Sequence, residues 1–387
     1  MALAGIHTMG GEAGGAEPSL HDPSLGQIVL VLQGGGALGA YQAGVYQALD
    51  EAGLTPDWVI GTSIGAINAA LIAGNRPEDR LLQMREFWYR VRYGLLAETL
   101  KTVPGFGAIT TMMGGLPGFF APNPLAALGP HAQIGCENAS YYSTLPLART
   151  LADLVDLDAL NAGAPRITVG ATAVADGRMR YFDSRRERLH HNHILASGAL
   201  PPGFPAVRID GDLYWDGGIV SNTPVEAVFD DNPRRDGLVF AVHIWNPTGS
   251  EPDTLWKVMS RDKDIRYASR ADTHIARQKQ IHRLRHVITE LAELVPPDLR
   301  ATPHVKELAA WGCTTRLHVV RLLAPPLAGE DHSKDIDFSE ATIRSRWDAG
   351  LNDTAGVLAR RPWRGAFDPL EGFILHEAAA GTIVAEG

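Results

Sequence analysis

The chain has 387 residues, and since a domain typically takes about 150, we expect two domains or one large α/β domain with an appendage. Hydrophobic residues make up 45% and charged residues 20% of the sequence, a balance that supports a large core and excludes a chain that is disordered throughout. The net charge of −9 argues against general nucleic-acid binding, which depends on a cationic surface.

The N-terminal residues 1–26 lack the basic and apolar regions of a signal peptide, and we interpret them as a flexible extension. No stretch of the chain is long and continuously apolar enough for a transmembrane helix. We therefore expect a cytoplasmic protein, for which a transient contact with a membrane surface stays open. The sequence does not indicate the oligomeric state.

The first predicted elements follow the order that opens a parallel α/β sheet. An apolar, β-branched run at 27–32 predicts a buried strand, and a glycine-rich loop leads from it into a helix that ends near Gly53. Residues 57–61 predict a second strand, and apolar periodicity predicts helices over 64–74 and 76–91. This order is typical of a sheet with helices on its faces.

Residues 103–130 interrupt the pattern with glycines and prolines set among apolar side chains. Because a surface loop would be more polar, the segment is either a connector tucked against the core or a lid that faces lipid. In the second case, Met112, Met113, Phe119 and Phe120 would provide the apolar contacts.

The sheet pattern then resumes. A helix is predicted near 146–155, and hairpins are predicted within 166–184 and 208–218, on either side of a helix at 190–200. Residues 237–245 form an apolar run that predicts a central strand.

The residues after 250 have a different composition, with many bases and few acids on predicted helices. Between 255 and 290 the bases are Lys257, Arg261, Lys263, Arg266, Arg270, Arg277, Lys279, Arg283 and Arg285. They form either the solvated face of a packing helix or a patch for anionic headgroups or an anionic carrier. A strand is predicted at 316–325 and a helix at 338–360.

A candidate nucleophile lies between the second predicted strand and its helix. Residues 61–65 read G-T-S-I-G and match the G-x-S-x-G pattern, which is a weak signal as a bare string. A strand-to-helix turn, however, would place Ser63 in a strained and exposed position, and glycines on both sides would remove clashing Cβ atoms. The alternative is a plain glycine-rich turn.

The glycine-rich loop after the first strand has two interpretations. Gly34, Gly36 and Gly39 fit a dinucleotide-binding pattern, but that pattern needs an acid at the end of the second strand, and Asp57 lies at its beginning. Alternatively, the loop amides form an oxyanion hole for an acyl carbon attacked by Ser63. Neighbouring parallel strands would place both loops at the carboxyl edge of the sheet.

A candidate base occurs in Asp216-Gly217-Gly218, which follows the last predicted hairpin strand. Taken alone, Asp-Gly-Gly is ordinary turn chemistry. With the serine and the glycine loop present, we favour Asp216 as the base. An aspartate with an ordinary pKa of about 3.9 is a poor base for a hydroxyl, so its side chain must be desolvated and close to Ser63.

Three blocks within residues 27–245 closely resemble the patatin-like phospholipases: VLQGGGALGAYQAGVYQAL, GTSIGAINAALIAG and ASGALPPGFPAVRIDGDLYWDGGIVSNTP. The resemblance implies a three-layer α/β/α fold with a mostly parallel central sheet. It also implies a serine acyl hydrolase with a Ser-Asp dyad, no catalytic histidine, no metal and no cofactor. The substrate would be a lipid or another acyl ester.

By position, Ser63 corresponds to the family nucleophile and Asp216 to its dyad partner. The residues expected to supply the oxyanion hole are Gly34, Gly35, Gly36 and Ala37. The motif residues expected to be structural are Gly39, Gly61, Gly65, Gly217, Gly218, Asn222 and Pro224.

The resemblance divides the chain into four parts. After the extension 1–26 comes an acyl hydrolase domain at 27–250, then a helical C-terminal region at 251–375 and a tail at 376–387. The C-terminal region resembles the extension of a bacterial subgroup of the family.

One departure concerns substrate choice. The family usually has Arg or Lys just before the last loop glycine, where this chain has Leu38. If that cation holds the loop or an anionic headgroup, its loss favours a neutral ester over a phospholipid.

Histidines at 190, 191, 193 and 243 suggest a metal site or a Ser63-Asp216-His243 triad, and we favour neither. No acid at ligand spacing completes a metal site, and His243 lies within an apolar strand. Three other functions stay open: a transacylase with the same dyad, a dinucleotide-binding oxidoreductase and a non-catalytic lipid-binding protein. We predict a phospholipase, lipase or esterase that works through an acyl-enzyme.

Overall fold

The computed structural model describes residues 23–93, 114–268, 271–328 and 330–377, and the structural statements below concern these ranges. The strands are β1 (Gln27–Leu32), β2 (Trp58–Thr62), β3 (Ala121–Pro122), β4 (Tyr142–Ser143), β5 (Arg166–Ala173), β6 (Met179–Asp183), β7 (Val207–Ile209), β8 (Asp212–Asp216), β9 (Gly237–His243), β10 (Leu317–Leu323) and β11 (Phe373–Glu377). The helices are α1 (Ala40–Glu51), α2 (Ile64–Ala73), α3 (Arg80–Arg90), α4 (Leu145–Leu154), α5 (Leu157–Asn161), α6 (His191–Ser197), α7 (Glu226–Phe229), α8 (Leu255–Ala268), α9 (Ala271–Leu294), α10 (Pro297–Arg300), α11 (Pro303–Ala309) and α12 (Glu340–Arg360).

The main sheet has the strand order β11-β10-β9-β1-β2-β5-β8-β7, and β6 pairs with β5. The six strands from β11 to β5 run parallel to one another, whereas β6, β8 and β7 are antiparallel to their neighbours. The predicted mostly parallel α/β sheet is therefore confirmed. Because β1 and β2 are parallel neighbours, the loops that follow them meet at one edge of the sheet.

The central strands are mostly apolar, and their side chains are buried on both faces of the sheet. Along β1, Ile28, Leu30 and Leu32 belong to one apolar cluster, whereas Val29 and Val31 belong to another. The first cluster takes side chains from α1, α2 and α12, and the second takes them from α7 and α9. Helices thus cover both faces, which confirms the three-layer arrangement.

The C-terminal region contributes to the same sheet. β10 pairs with β9, and β11, which the sequence analysis does not assign, pairs with β10 as far as Glu377. Helix α12 packs along α1, with Gly44 and Gly350 at the crossing. The domain boundary at 250 stays a prediction. None of the described helices is long and apolar enough to cross a membrane.

Several histidines lie in the interior, where the charged imidazolium would lose its hydration. Burial lowers the pKa of His193, His282 and His318 to about 4 and that of His243 to about 3. Burial also lowers the pKa of His376, whose Nε2 lies 3.0 Å from Nδ1 of His318. In the unfolded chain these side chains would bind protons near pH 6.5.

The free energy of unfolding is therefore expected to fall as the pH falls from about 6.5 toward about 4, because only the unfolded chain takes up these protons. Urea unfolding at a series of pH values measures this slope. His318→Gln should make the slope shallower, whereas His304→Gln, at an exposed position, should leave it unchanged. Equal slopes for both variants would contradict the assignment to buried histidines.

Candidate active site

Ser63 occupies a strained turn between β2 and α2. Its backbone has φ 56° and ψ −124°, a region that residues with a side chain rarely adopt. A methyl group at Gly61 would overlap the Gly65 carbonyl, and one at Gly65 would overlap the Leu32 carbonyl oxygen. Both glycines of the motif are thus required for α2 to begin so close to β1 and β2.

A side chain from α6 holds this turn in place. The buried Oγ of Ser197 accepts a hydrogen bond of 2.9 Å from the Ser63 backbone N–H and donates one of 2.6 Å to the Gly170 carbonyl of β5. Ser197 lies in the ASGALPPGF block but is not among the predicted site residues. Its role depends on how α6 packs against the end of β2, which the sequence does not display.

Asp216 is the last residue of β8 and is buried beside Ser63. Burial raises the pKa of Asp216 to about 7, and hydrogen bonds from the Gly218 amide and the Ser63 hydroxyl counter this only in part. The Gly218 N–H lies 2.7 Å from Oδ1. The carboxylate is thus desolvated and close to the hydroxyl, which is the environment that a base for Ser63 needs.

Asn222 joins the Asp216 turn to the glycine-rich loop. Its backbone carbonyl accepts the Gly34 N–H at 3.1 Å, and its Nδ2 donates to the Gly34 carbonyl at 3.0 Å. A methyl group at either Gly34 or Gly218 would collide with the Asn222 Oδ1. The position of Asn222 therefore explains why both motifs need a glycine beside it.

The loop amides differ in their partners. The Gly34 N–H is bonded to Asn222, and the Ala37 N–H donates to the Asp335 carbonyl at 2.8 Å. Within the described residues, the Gly35 and Gly36 amides have no hydrogen-bond acceptor. Of the amides expected to form the oxyanion hole, these two are therefore available to a substrate oxygen.

Ser63, Asp216 and the loop glycines line one cavity whose other walls are largely apolar. The aromatic residues of these walls are Phe119, Phe120, Phe204, Trp245, Tyr267 and Phe338. Phe119 and Phe120 are buried against Phe204, whereas Met112 and Met113 lie outside the described residues, so the choice between a tucked connector and a lid stays a prediction. Among the described residues that line the cavity, none is Lys, Arg or His.

The sequence also matches known families over the residues that build this site. A family model described as patatin-like phospholipase matches residues 30–229, which is more than half of the chain. This protein belongs to the patatin-like phospholipase family. A second family model, described as patatin phospholipase, matches residues 265–370 in the C-terminal region.

Several curated proteins are similar to this patatin-like chain. Patatin-like phospholipase domain-containing protein 6 of Mus musculus is 29% identical over 200 residues, 51% of this chain and 12% of that protein. Lysophospholipase nte1 of Aspergillus terreus is 61% identical over 46 residues, 12% of this chain and 3% of that protein. Triacylglycerol lipase ptl3 of Schizosaccharomyces pombe is 40% identical over 62 residues, 16% of this chain and 13% of that protein. Each match spans a small part of the relative.

The remaining motif residues of the patatin-like domain lie beside the site. A methyl group at Gly39 would press on the Ile64 side chain, and one at Gly217 would press on the Gly170 carbonyl. Pro224 is buried just before α7.

The histidines noted in the sequence lie elsewhere. His190 and His193 form a capping box at the start of α6. The His190 backbone N–H donates to the His193 Nδ1 at 3.0 Å, and the His193 backbone N–H donates to the His190 carbonyl at 3.0 Å. His243 is buried at the end of β9 and is not among the described residues that line the cavity. The described residues contain no group of three His, Cys, Asp or Glu side chains that could hold a metal ion.

Proposed function

We propose that this protein is a serine hydrolase that cleaves carboxylic esters of lipids through a Ser63-Asp216 dyad. The observation that carries the proposal is the contact between Ser63, on its strained turn, and the buried carboxylate of Asp216, whose pKa burial raises to about 7. Membership of the patatin-like family and the names of the lysophospholipase and lipase relatives support a lipid substrate.

In the first half of the reaction, Ser63 Oγ attacks the ester carbonyl carbon while Asp216 accepts the hydroxyl proton. The Gly35 and Gly36 N–H groups donate to the oxygen that gains negative charge. The intermediate collapses, the bond to the alcohol breaks, and the alkoxide leaves with the proton from Asp216. The acyl group is then esterified to Ser63.

In the second half, a water molecule attacks the acyl-enzyme and gives its proton to the Asp216 carboxylate. The same two amides hold the second oxyanion. When this intermediate collapses, Ser63 Oγ recovers the proton from Asp216 and the carboxylic acid leaves. Both halves need one group that shuttles a proton at neutral pH, for which a pKa near 7 is suitable.

The cavity favours esters without a phosphate next to the scissile bond. Leu38, at the position where the family usually has a base, is buried in the core. Lys334 lies 5.6 Å from the centre of the Trp245 ring, but its charge is paired with Asp264 at 2.6 Å. A neutral glyceride or simple acyl ester therefore suits the described walls better than a phospholipid.

A fluorophosphonate probe, followed by mass mapping of the adduct, tests the proposed chemistry. We expect one adduct, on Ser63, together with hydrolysis of p-nitrophenyl acyl esters that the probe abolishes. Assays of a diacylglycerol and a phosphatidylcholine with the same acyl chains test the substrate class. A folded protein that forms no adduct, or an adduct elsewhere, would contradict the dyad.

The rate is expected to depend on the protonation of Asp216. Since burial raises the pKa of Asp216 to about 7, the carboxyl is protonated and inactive below that pH. We expect kcat/KM to fall about tenfold for each pH unit below 7 and to level off above it. Samples held at low pH and assayed again at pH 8 separate this effect from acid unfolding. A rise centred near pH 4 would contradict the assignment.

A further inference from the structure

A segment of the C-terminal region lies directly against the glycine-rich loop. We call residues 330–338, which precede α12, the strap. The strap's Asp335 carbonyl accepts the Ala37 N–H at 2.8 Å, and a methyl group at Gly36 would overlap the same oxygen. Ile336 and Phe338 of the strap line the cavity that holds Ser63. Residues outside the 30–229 match thus form part of the site.

Ion pairs tie the strap to α8. The Lys263 Nζ lies 2.7 Å and 3.0 Å from the two carboxylate oxygens of Asp335 and 2.9 Å from the His332 carbonyl oxygen. A second pair joins Lys334 of the strap to Asp264 of α8 at 2.6 Å. These four charged side chains are mostly shielded from solvent, which makes such pairs stronger than exposed ones.

The two available amides lie between two anchors. On one side, Gly34 is bound to Asn222, which belongs to the patatin-like domain. On the other side, Ala37 is bound to the strap through the Asp335 carbonyl. Leu38, which follows, contributes no charge that could hold the loop. The orientation of Gly35 and Gly36 therefore depends on the strap as well as on Asn222.

We propose that Lys263 and Asp335 are positioning residues that hold the oxyanion loop through the strap. Lys263 fixes Asp335, the Asp335 carbonyl fixes Ala37, and the Gly35 and Gly36 amides then point at the developing oxyanion. Lys263 also neutralises a carboxylate that would otherwise repel this oxyanion from the cavity wall. The inference rests on the proposed function and gives the C-terminal region a role in it.

Lys263→Met tests the pair, with Lys257→Met as the matched control. Lys257 lies on the same helix but pairs with Asp253 in solvent. We expect Lys263→Met to lower kcat for a p-nitrophenyl ester about 10- to 100-fold, because misplaced oxyanion donors weaken transition-state binding. KM should stay within about threefold, and Lys257→Met should stay within about twofold of the unchanged protein in both constants.

Four further measurements distinguish positioning from a general loss of structure. The rate of fluorophosphonate labelling at Ser63 should fall with kcat, whereas the unfolding midpoint should change little. Lys263→Arg should restore most of the activity. In a double-mutant cycle, Lys263→Met with Asp335→Asn should be no slower than either single variant. If Lys263→Met does not fold, Lys263→Gln takes its place.

The outcomes separate this inference from the proposed function. If the unchanged protein is labelled at Ser63 but Lys263→Met behaves like Lys257→Met, the positioning role is wrong and the hydrolase proposal stands. Additive losses in the cycle, or a faster enzyme on removal of Lys263, would also overturn the positioning role. If the unchanged protein is not labelled at all, both proposals fail.

Discussion

Ser63→Ala and Asp216→Asn are each expected to lower kcat for ester hydrolysis at least about 10³-fold, since a nucleophile and its base act as a unit. Alanine removes the attacking oxygen. Asparagine keeps an acceptor for the Gly218 amide but cannot take the hydroxyl proton. The double variant should be no slower than either single variant. Activity within tenfold of the unchanged enzyme in either variant would contradict the dyad.

The two substitutions should have opposite effects on stability. Burial raises the pKa of Asp216 to about 7 in the folded protein, so above that pH the fold contains a carboxylate that has lost its hydration. Asparagine removes this charge, and we expect the free energy of unfolding at pH 8 to rise by on the order of 1–3 kcal/mol. Ser63→Ala removes a hydrogen bond from the carboxylate and should lower the free energy of unfolding.

The pH dependence of this stabilisation tests whether it comes from the Asp216 carboxylate. An unfolded aspartate ionises near pH 3.8, whereas the folded one stays protonated up to about pH 7, so the contribution of Asp216 to stability falls as the pH rises between these values. The stabilisation by asparagine should therefore be largest above pH 7.5 and shrink toward pH 4. Urea unfolding at pH 5 and pH 8 measures it. If Asp216→Asn is less stable than the unchanged protein at pH 8, burial of the carboxylate does not destabilise the fold.

Short-range patterns were sufficient to predict the elements around the site. The run at 27–32, the glycine loop and the G-x-S-x-G turn each depend on neighbouring residues, and the structure places β1, β2 and α2 as expected. β11 could not be found in this way, because its five residues are identified as a strand only by pairing with β10. Periodicity within so short a segment carries little information.

The glycine-rich loop shows a second limit of sequence reasoning. The pattern identifies the amides of residues 34–37, but which of them are available depends on acceptors from distant segments. Asn222 takes the amide of Gly34, and the strap takes that of Ala37. Ser197, which supports the turn at Ser63, is likewise recognisable only once α6 is packed against β2 and β5.

The basic residues after 250 show the same limit for charge. Several of them have acidic partners in the structure: Lys257 with Asp253, Lys263 with Asp335, Arg266 with Asp262 and Lys279 with Glu371. Asp335 and Glu371 lie far along the chain from residues 255–290. A count of the charges within 255–290 alone therefore overstates how positive this surface is. A packing and solvated face would contain such pairs, and a patch for anionic headgroups stays a prediction.

The contact between the C-terminal region and the patatin-like domain predicts a large effect on stability at one glycine. Where α1 and α12 cross, a methyl group at Gly350 would overlap the backbone carbonyl oxygen of Tyr41. Backbone atoms cannot rotate away, so Gly350→Ala must separate the two helices. We expect a loss of about 2–4 kcal/mol in the free energy of unfolding.

Gly356→Ala on the same helix is the matched control. Its added methyl group would meet only the end of the flexible Arg360 side chain, at 3.5 Å. Since alanine is the better helix former, this variant should gain up to about 1 kcal/mol. Urea unfolding at pH 8 measures both. Equal shifts for the two variants would mean that the close crossing of α1 and α12 does not stabilise the protein.

The effect of Gly350→Ala should extend to the active site. Helix α1 starts directly after the glycine-rich loop, and the Tyr41 hydroxyl donates a hydrogen bond of 2.8 Å to Asp353 of α12. The strap leads directly into α12, so a displaced α12 would move both α1 and the strap. We expect the folded fraction of Gly350→Ala to react with a fluorophosphonate at least about tenfold more slowly. Gly356→Ala should react at the unchanged rate, because stability alone does not move the Gly35 and Gly36 amides.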